Sequence, residues 1–217
     1  MHFLSADLEE YAEAHTTGES DVLQRLNRNT HAYVMRPRML SGQLQGRFLS
    51  MISRMMRPRR ILEIGTYTGY SALCLAEGLT DDGLLITVDN NEELESFARS
   101  YWNQTPYTSK IDFRLGNAPD IIPTLNDVFD IVFIDADKKN YSLYYDLVFD
   151  KVRSGGIILA DNVLWSGKVV PAGRPASRAI DKDTQAVLDF NQKVQQDSRA
   201  ENVLLPVRDG LMMIYKQ

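Results

Sequence analysis

From Arg60 onward, short apolar runs alternate with stretches of helical spacing, and this alternation limits the chain to very few folds. Strands are expected over residues 61–64, 84–89, 111–115, 129–135 and 156–161. Helices are expected between them, over 71–79, 92–102, 119–125 and 141–152. Strands separated by helices of this length predict a parallel sheet covered on both faces. The near-continuous apolar character of the runs fits a sheet buried on both sides. The end of the chain departs from the pattern. A long helix over 181–197 leads to an apolar run at 203–207, then Arg208-Asp209-Gly210, then a second apolar run at 211–215. Asp-Gly between two such runs predicts a hairpin, so the sheet is expected to finish with an antiparallel pair.

The first 58 residues read differently, as helices punctuated by Pro37 and Pro58. Leu44, Phe48, Met51, Ile52 and Met55 recur at helical spacing and predict an apolar face. The 217 residues fit one domain. With 44% hydrophobic and 24% charged residues the composition is that of a soluble globular protein. Cys74 is the single cysteine, which excludes an intrachain disulfide and suits a reducing compartment. The acidic start and the lack of an apolar run near ~20 residues imply no secretory leader and no membrane span. A cytoplasmic location is therefore expected. The net charge of −5 disfavours nucleic acid, and Arg54, Arg57, Arg59 and Arg60 read as a solvated helix end before a buried strand.

Ligands of open α/β sheets bind beyond the carboxyl ends of the strands. Here those ends carry Glu63, Asp89, Asp135 and the pair Asp161-Asn162. A single Asp at such a place is usually a turn former or a helix cap, but four carboxylates at one edge point to a ligand. The turn after the first strand is Gly65-Thr66-Tyr67-Thr68-Gly69-Tyr70-Ser71. A dinucleotide fingerprint needs glycine where Tyr67 stands, so pyrophosphate binding is disfavoured. A glycine turn with a nearby acid still suits a nucleoside without phosphates. Asp89 is placed to accept both ribose hydroxyls, and Glu63 to answer a cationic ligand group.

Three stretches carry a resemblance: Leu62-Glu63-Ile64-Gly65-Thr66-Tyr67-Thr68-Gly69-Tyr70-Ser71, Phe133-Ile134-Asp135-Ala136-Asp137-Lys138, and Asp161-Asn162-Val163-Leu164-Trp165-Ser166-Gly167. In this order and at these separations they resemble the cation-dependent O-methyltransferases, which include the caffeoyl-CoA and catechol O-methyltransferases. The similarity runs from about Met39 to the last residue. It implies a Rossmann-like S-adenosylmethionine-dependent methyltransferase fold: a mostly parallel seven-stranded sheet with an antiparallel last strand and helices on both faces. Residues 1–58 then cover the cofactor and acceptor site, and 59–217 form the α/β core of one domain. By the same resemblance Glu63, Gly65, Thr66 and Ser71 hold the methionine end of the cofactor. Tyr67 lies beside it, Asp89 holds the ribose, Ala118 meets the adenine through its backbone, and Ser41 closes over the ligand. Asp137 is a further cofactor contact or a cap for the helix after it.

The resemblance assigns Asp135, Asp161 and Asn162 as metal ligands. Chemistry agrees independently: three oxygen donors with no Cys or His suit a hard cation, Mg²⁺ first, with Mn²⁺ or Ca²⁺ also accommodated. The histidines, His2, His15 and His31, stand away from these motifs and read as surface or packing residues. Lys138 becomes the general base, a role that requires the neutral amine, which a neighbouring dication favours. By spacing alone it reads as a surface lysine beside Lys139. With Asp135 it forms the implied catalytic pair. Trp165 is a candidate wall for a flat aromatic acceptor, or a core aromatic. Met39 and Lys138 are the other acceptor-side candidates. Tyr141 and Tyr144 read as helix packing residues, and Cys74 as a small buried hydrophobe.

The implied reaction is methylation of a hydroxyl on a small acceptor, with a vicinal diol on an aromatic ring as the natural guess because it chelates a metal. Residues 168–182 are expected to border the acceptor pocket, where Arg174 and Arg178 can meet an acidic or phosphate-bearing acceptor or stay solvated. A nicotinamide dehydrogenase is disfavoured by Tyr67. An amino methyltransferase is disfavoured because no Asn/Asp-Pro-Pro-Tyr follows the fourth strand. A cofactor-binding protein without chemistry, or a non-aromatic acceptor, are the remaining alternatives. Family members commonly dimerise through the N-terminal helices, so a homodimer is expected.

Overall fold

The computed structural model describes residues 5–171 and 180–217; Arg174 and Arg178 lie outside them. Three helices come first, α1 (Ala6–Ala14), α2 (Asp21–Tyr33) and α3 (Gly42–Met56). The alternating part follows as β1 (Arg60–Ile64), α4 (Tyr70–Ala76), β2 (Leu84–Asp89), α5 (Glu95–Trp102), β3 (Ile111–Leu115), α6 (Ala118–Ile121), β4 (Phe129–Ile134), α7 (Tyr141–Phe149) and β5 (Val152–Asp161). Then come α8 (Lys182–Gln196), β6 (Ala200–Leu205) and β7 (Leu211–Lys216).

The strands form one seven-stranded sheet in the order β3-β2-β1-β4-β5-β7-β6. The pairs from β3 through β5 are parallel, and β7 runs antiparallel to both β5 and β6. Successive strands add to one side from β1 to β3 and to the other from β4 onward. The direction therefore reverses between β1 and β4, which is where ligands of such sheets bind. Both faces of the sheet are covered. Ile64, Val132 and Ile134 pack with Tyr141, Tyr145 and Phe190 on one side. Ile61, Ile131 and Phe133 pack with Leu49, Leu73 and Trp102 on the other. Among the described residues no helix is long and apolar enough to cross a membrane.

Several boundaries differ from expectation for identifiable reasons. The fifth strand starts at Val152 rather than 156, because Phe129 pairs Val152 while Ile131 pairs Ile157. The extra residues bulge out through Gly155, at φ +73°. Helix α7 accordingly stops at Phe149. Strand β6 ends before Pro206, which has no N–H for the ladder. The hairpin is real, but its connection is residues 206–210, with left-handed backbone at Arg208 (φ +50°) and Gly210 (φ +86°).

The largest correction concerns α3. Its buried face is Gln45, Gly46, Leu49, Ser50 and Ser53, while Met51 and Met55 stand 62% and 69% exposed. Of the expected apolar set Phe48 and Ile52 pack against the core, and close packing on α4 accounts for the outward methionines. A Cβ on Gly46 would lie 2.7 Å from the Tyr70 ring and 2.9 Å from the Cys74 sulfur. A Cβ on Gly78 would lie 2.1 Å from the Ser53 backbone. Small side chains line that contact; Leu49 is buried beside it, Phe48, Ile52 and Met56 pack partly buried against the core, and Met51 and Met55 turn outward. The arginines near Pro58 are surface residues paired with acids: Arg54 with Glu77, Arg59 with Asp82 and Arg60 with Asp127.

Candidate active site

The turn after β1 is held by its neighbours on both sides. Gly65 takes φ +99°, and a Cβ there would fall 2.0 Å from the Asp135 carbonyl oxygen at the end of β4. Only glycine permits this approach. Tyr67 also adopts a left-handed conformation, φ +48°, which is costly for a bulky residue and needs compensation. Asp89 supplies it: its Oδ2 accepts the Thr66 and Tyr67 amides at 2.9 and 2.8 Å. Its Oδ1 accepts the Asn91 amide at 2.9 Å. Three of about four lone-pair sites on this carboxylate are thus engaged. The Tyr67 hydroxyl donates to the carbonyls of Met35 and Arg36, at 3.0 and 3.3 Å, and ties the segment before α3 to the turn. At the far side Gly69, φ +79°, ends the turn under the Trp102 indole, which donates to its carbonyl at 3.1 Å. Ala118 opens α6, just past Gly116, whose amide donates to the Asp89 carbonyl at 2.9 Å.

Glu63 lies beneath this turn, fully buried. The hydroxyls of Ser71 and Thr87 donate to its two oxygens, and the Thr66 hydroxyl joins that of Thr87. Burial pushes the carboxyl up to about 8; the two hydroxyl hydrogen bonds oppose the rise, and the charges of Asp135 and Asp89 add to it. The raised value makes stability depend on pH. The folded protein holds this proton more tightly than the unfolded chain, so the stabilisation is complete below about 4.5 and is lost as pH rises through about 8. The melting temperature of the cofactor-free protein is therefore expected to fall between pH 5 and pH 9, and Glu63→Gln should flatten that slope. Thermal denaturation of both proteins across this range is the check; parallel slopes would contradict it.

The ends of β4 and β5 form a second cluster. Lys138 is buried, with Nζ 3.4 Å from Asp135 Oδ1 and 3.5 Å from the Asp161 carbonyl oxygen. Its Nζ also donates to the Tyr141 hydroxyl and lies 4.4 Å from the centre of that ring. The Tyr141 hydroxyl in turn donates to the Asp161 carbonyl at 2.9 Å. Asp135 is raised to about 6, by burial first and by the Asp161 charge second, while Lys138 and Arg208 hold it down. The negative charge of Asp161 thus works against ionisation of Asp135, and the edge is short of positive charge. Asp161 is buried, its Oδ1 accepting the Asn162 amide and its Oδ2 the Gln45 side-chain amide, each at 2.7 Å. Asn162 itself is left-handed, φ +59°. Among the described residues no three His, Cys, Asp or Glu gather as a metal cluster. The set at these strand ends is two carboxylates and one amide, Asp135, Asp161 and Asn162.

The remaining predicted residues lie around these clusters. Trp165 is half-buried at φ +47°, with Lys138 and Lys168 Nζ 5.9 and 5.7 Å from its ring. Its indole nitrogen is buried without a hydrogen-bond partner among the described residues. Asp137 is exposed and makes no cap hydrogen bond; it accepts from the Tyr144 hydroxyl and from Asn140 at 2.7 Å. Ser41 is buried at the start of α3, and Met39 is 51% exposed. Tyr141 and Tyr144 are buried, as expected of packing residues, yet their hydroxyls also bind Lys138 and Asp137. Gln45 carries no signal in the sequence and Arg208 only that of a hairpin connection, since nothing there links Gln45 to Asp161 or Arg208 to Ser41. Cys74 is buried, while His15 and His31 are exposed.

A seven-stranded sheet with a reversed β7, a glycine turn after β1 and acids at the strand ends define the S-adenosylmethionine-dependent methyltransferase class. Solved structures agree. The chain is 28% identical to the S-adenosylhomocysteine-bound methyltransferase PaMTH1 of Podospora anserina, with TM-score 0.88 over 100% of this chain and 98% of that one. It is 26% identical to TomG of Streptomyces achromogenes, an O-methyltransferase involved in tomaymycin synthesis solved with S-adenosylmethionine, at TM-score 0.85 over 97% of this chain and 96% of that one. The chain belongs to the O-methyltransferase family, whose model matches residues 12–217. Among curated relatives, the caffeoyl-CoA O-methyltransferase of Mesembryanthemum crystallinum is 36% identical over 176 residues, covering 78% of this chain and 69% of the relative. Caffeoyl-CoA O-methyltransferase 2 of Eucalyptus globulus is also 36% identical, covering 78% of this chain and 71% of that enzyme.

Proposed function

We propose that the chain transfers the methyl group of S-adenosylmethionine to one hydroxyl of a small vicinal dihydroxy aromatic acceptor, with a divalent cation held by Asp135, Asp161 and Asn162. The observation that carries this reading is the gathering of two mutually repelling carboxylates and a buried lysine at adjoining strand ends, beside the Gly65 turn.

On this reading Glu63, Gly65, Thr66 and Ser71 receive the methionine end, with Tyr67 alongside. Glu63 has two hydroxyls for partners, so a ligand ammonium supplies the positive charge that its burial calls for. The ribose goes to Asp89, which it shares with the turn amides, and the adenine to the backbone at Ala118. Ser41 closes over the ligand, and Asp137 is a further contact at its edge.

Asp135, Asp161 and Asn162 offer hard oxygen donors at a site that lacks positive charge, which suits Mg²⁺ first and Mn²⁺ or Ca²⁺ next. When bound, such a cation supplies charge that stabilises the ionised form of an acceptor hydroxyl. Lys138 takes the hydroxyl proton onto Nζ, and Asp135 then faces the resulting ammonium. The Tyr141 ring and hydroxyl hold Nζ in place. Trp165 provides a flat wall for an aromatic ring, and Met39, exposed just before Ser41, is available to the acceptor. Rate acceleration comes chiefly from holding the hydroxyl in line with the methyl group.

The test is transfer from labelled S-adenosylmethionine to a panel of catechols, caffeoyl esters and their monohydroxy analogues. Vicinal diols are expected to be methylated and the monohydroxy compounds spared; equal rates on both would sink the chelating acceptor. The outward apolar strip of α3, with Met51 and Met55 exposed, also suits a second copy of the chain. A homodimer is expected by sedimentation, and a monomer at micromolar concentration would contradict it.

A further inference from the structure

Arg208 sits where glycine would be easier. It takes φ +50° in the connection between β6 and β7, at a price in backbone strain that an arginine accepts only when its side chain is held. That connection is itself pinned to the chain just after the Asp161-Asn162 pair. The Leu164 amide donates to the Asp209 carbonyl at 2.9 Å and the Val163 amide to the Gly210 carbonyl at 3.1 Å. The Asp209 carboxylate accepts the Ser166 amide. From this base the guanidinium reaches back across the molecule. Its Nη1 donates to the Leu40 carbonyl at 2.9 Å, to the Ser41 carbonyl and to Gln45 Oε1 at 3.4 Å. Leu40, Ser41 and Gln45 are all buried.

The Gln45 amide then has one usable orientation. A guanidinium is only a donor and an ionised carboxylate only an acceptor. With Oε1 toward Arg208, Nε2 must face Asp161, and it donates to Oδ2 at 2.7 Å. The other oxygen of Asp161 is fixed by the Asn162 amide at 2.7 Å. The chain of contacts therefore runs from the hairpin, through the start of α3, to a carboxylate at the acidic edge.

We propose that Arg208 is a positioning residue: it latches the start of α3 over the acidic edge and, through Gln45, holds the Asp161 carboxylate in one orientation. The latch joins the helical part to the sheet through Arg208, which holds the Ser41 carbonyl and Gln45, and through Gln45, which holds Asp161. The Asp161 half of the proposal rests on the metal reading above; the latching of α3 does not.

The experiment compares wild type, Arg208→Gly and Arg208→Lys by three readouts: melting temperature, amide hydrogen exchange of residues 46–49, and Mn²⁺ affinity by calorimetry without acceptor. Glycine accepts the left-handed backbone freely, so the melting temperature of Arg208→Gly should stay within roughly 4 °C of wild type. Exchange at residues 46–49 should quicken about tenfold, and Mn²⁺ should bind about tenfold more weakly, as expected from losing hydrogen bonds to a charged group. Arg208→Lys should recover part of both. Unchanged exchange in Arg208→Gly would overturn the latch. So would faster exchange across the whole sheet with a large drop in melting temperature, which would mark Arg208 as a residue of general stability. If wild type binds no Mn²⁺, the metal reading fails by itself, and the exchange at residues 46–49 still decides the latch.

Discussion

Asp161→Ala is expected to lower methyl transfer by about a thousandfold or more while leaving affinity for S-adenosylmethionine within about threefold of wild type. Asp161 lies in the cluster at the ends of β4 and β5, and among the described residues none of its side-chain hydrogen bonds reaches the Gly65 turn, the proposed cofactor side. Removing it deletes one of two carboxylates and leaves the buried Gln45 amide without its acceptor, a loss of about 1–3 kcal/mol in stability. Asp161→Asn separates the two effects, since it keeps the shape and an acceptor oxygen but removes the charge. Its Nδ2 must face one of two donors, the Asn162 amide or the Gln45 side chain, so it should lose some stability, less than the alanine variant, and remain inactive. Asp89→Ala should behave in the opposite way, with cofactor affinity falling and Mn²⁺ binding intact. Calorimetry with cofactor and with Mn²⁺ reads both. If the Asp161 and Asp89 variants lose the same ligand to the same extent while folded, the division of roles between the two clusters is wrong.

Gly65→Ala should damage the fold and the site together. The new Cβ would sit 2.0 Å from the Asp135 carbonyl oxygen, on a backbone at φ +99° that alanine resists. Neither neighbour can yield easily, because the Asp135 amide is bonded to the Ile64 carbonyl at 2.9 Å and the Gly65 amide to the Val88 carbonyl at 2.9 Å. The turn must then separate β1 from β4 at the reversal point of the sheet. A loss of about 3 kcal/mol or more is expected, roughly 6–12 °C in melting temperature, along with cofactor binding. A variant that melts like wild type would show that the two strand ends do not approach this closely in solution.

Most of the architecture can be read from the sequence because it depends on local pattern. The apolar runs ending in Ile64, Val88, Ile134 and Ala160 mark buried parallel strands, and Asp209-Gly210 marks the hairpin. The strand-end acids come from the same reading, since position at a strand end is itself a local property. The face of α3 does not. Helical spacing of Leu44, Phe48, Met51, Ile52 and Met55 says that one side is apolar, but not that the close approach to α4 at Gly46 and Gly78 buries Gly46, Ser50 and Ser53, leaves Phe48 and Ile52 partly buried and puts Met51 and Met55 outside. Contacts between distant segments are equally hidden. Gln45 meets Asp161, and Arg208 meets Ser41, only once the sheet has placed the hairpin beside the start of α3. The Tyr141 hydroxyl is a subtler case. Its ring packs as a helix residue should, and its reach toward Lys138 follows from the tight turn at Lys138–Asn140 that precedes α7.

The acidic edge formed by Asp135, Asp161 and Asn162 is proposed to work only with a cation bound. The decisive quantity is the initial rate of methyl transfer from labelled S-adenosylmethionine to a catechol as free Mg²⁺ is raised from nothing in an EDTA-buffered series. A rate that is negligible without Mg²⁺ and climbs to saturation is the predicted result. Steady transfer to the same diol in excess EDTA would contradict it and leave the two carboxylates with some other task.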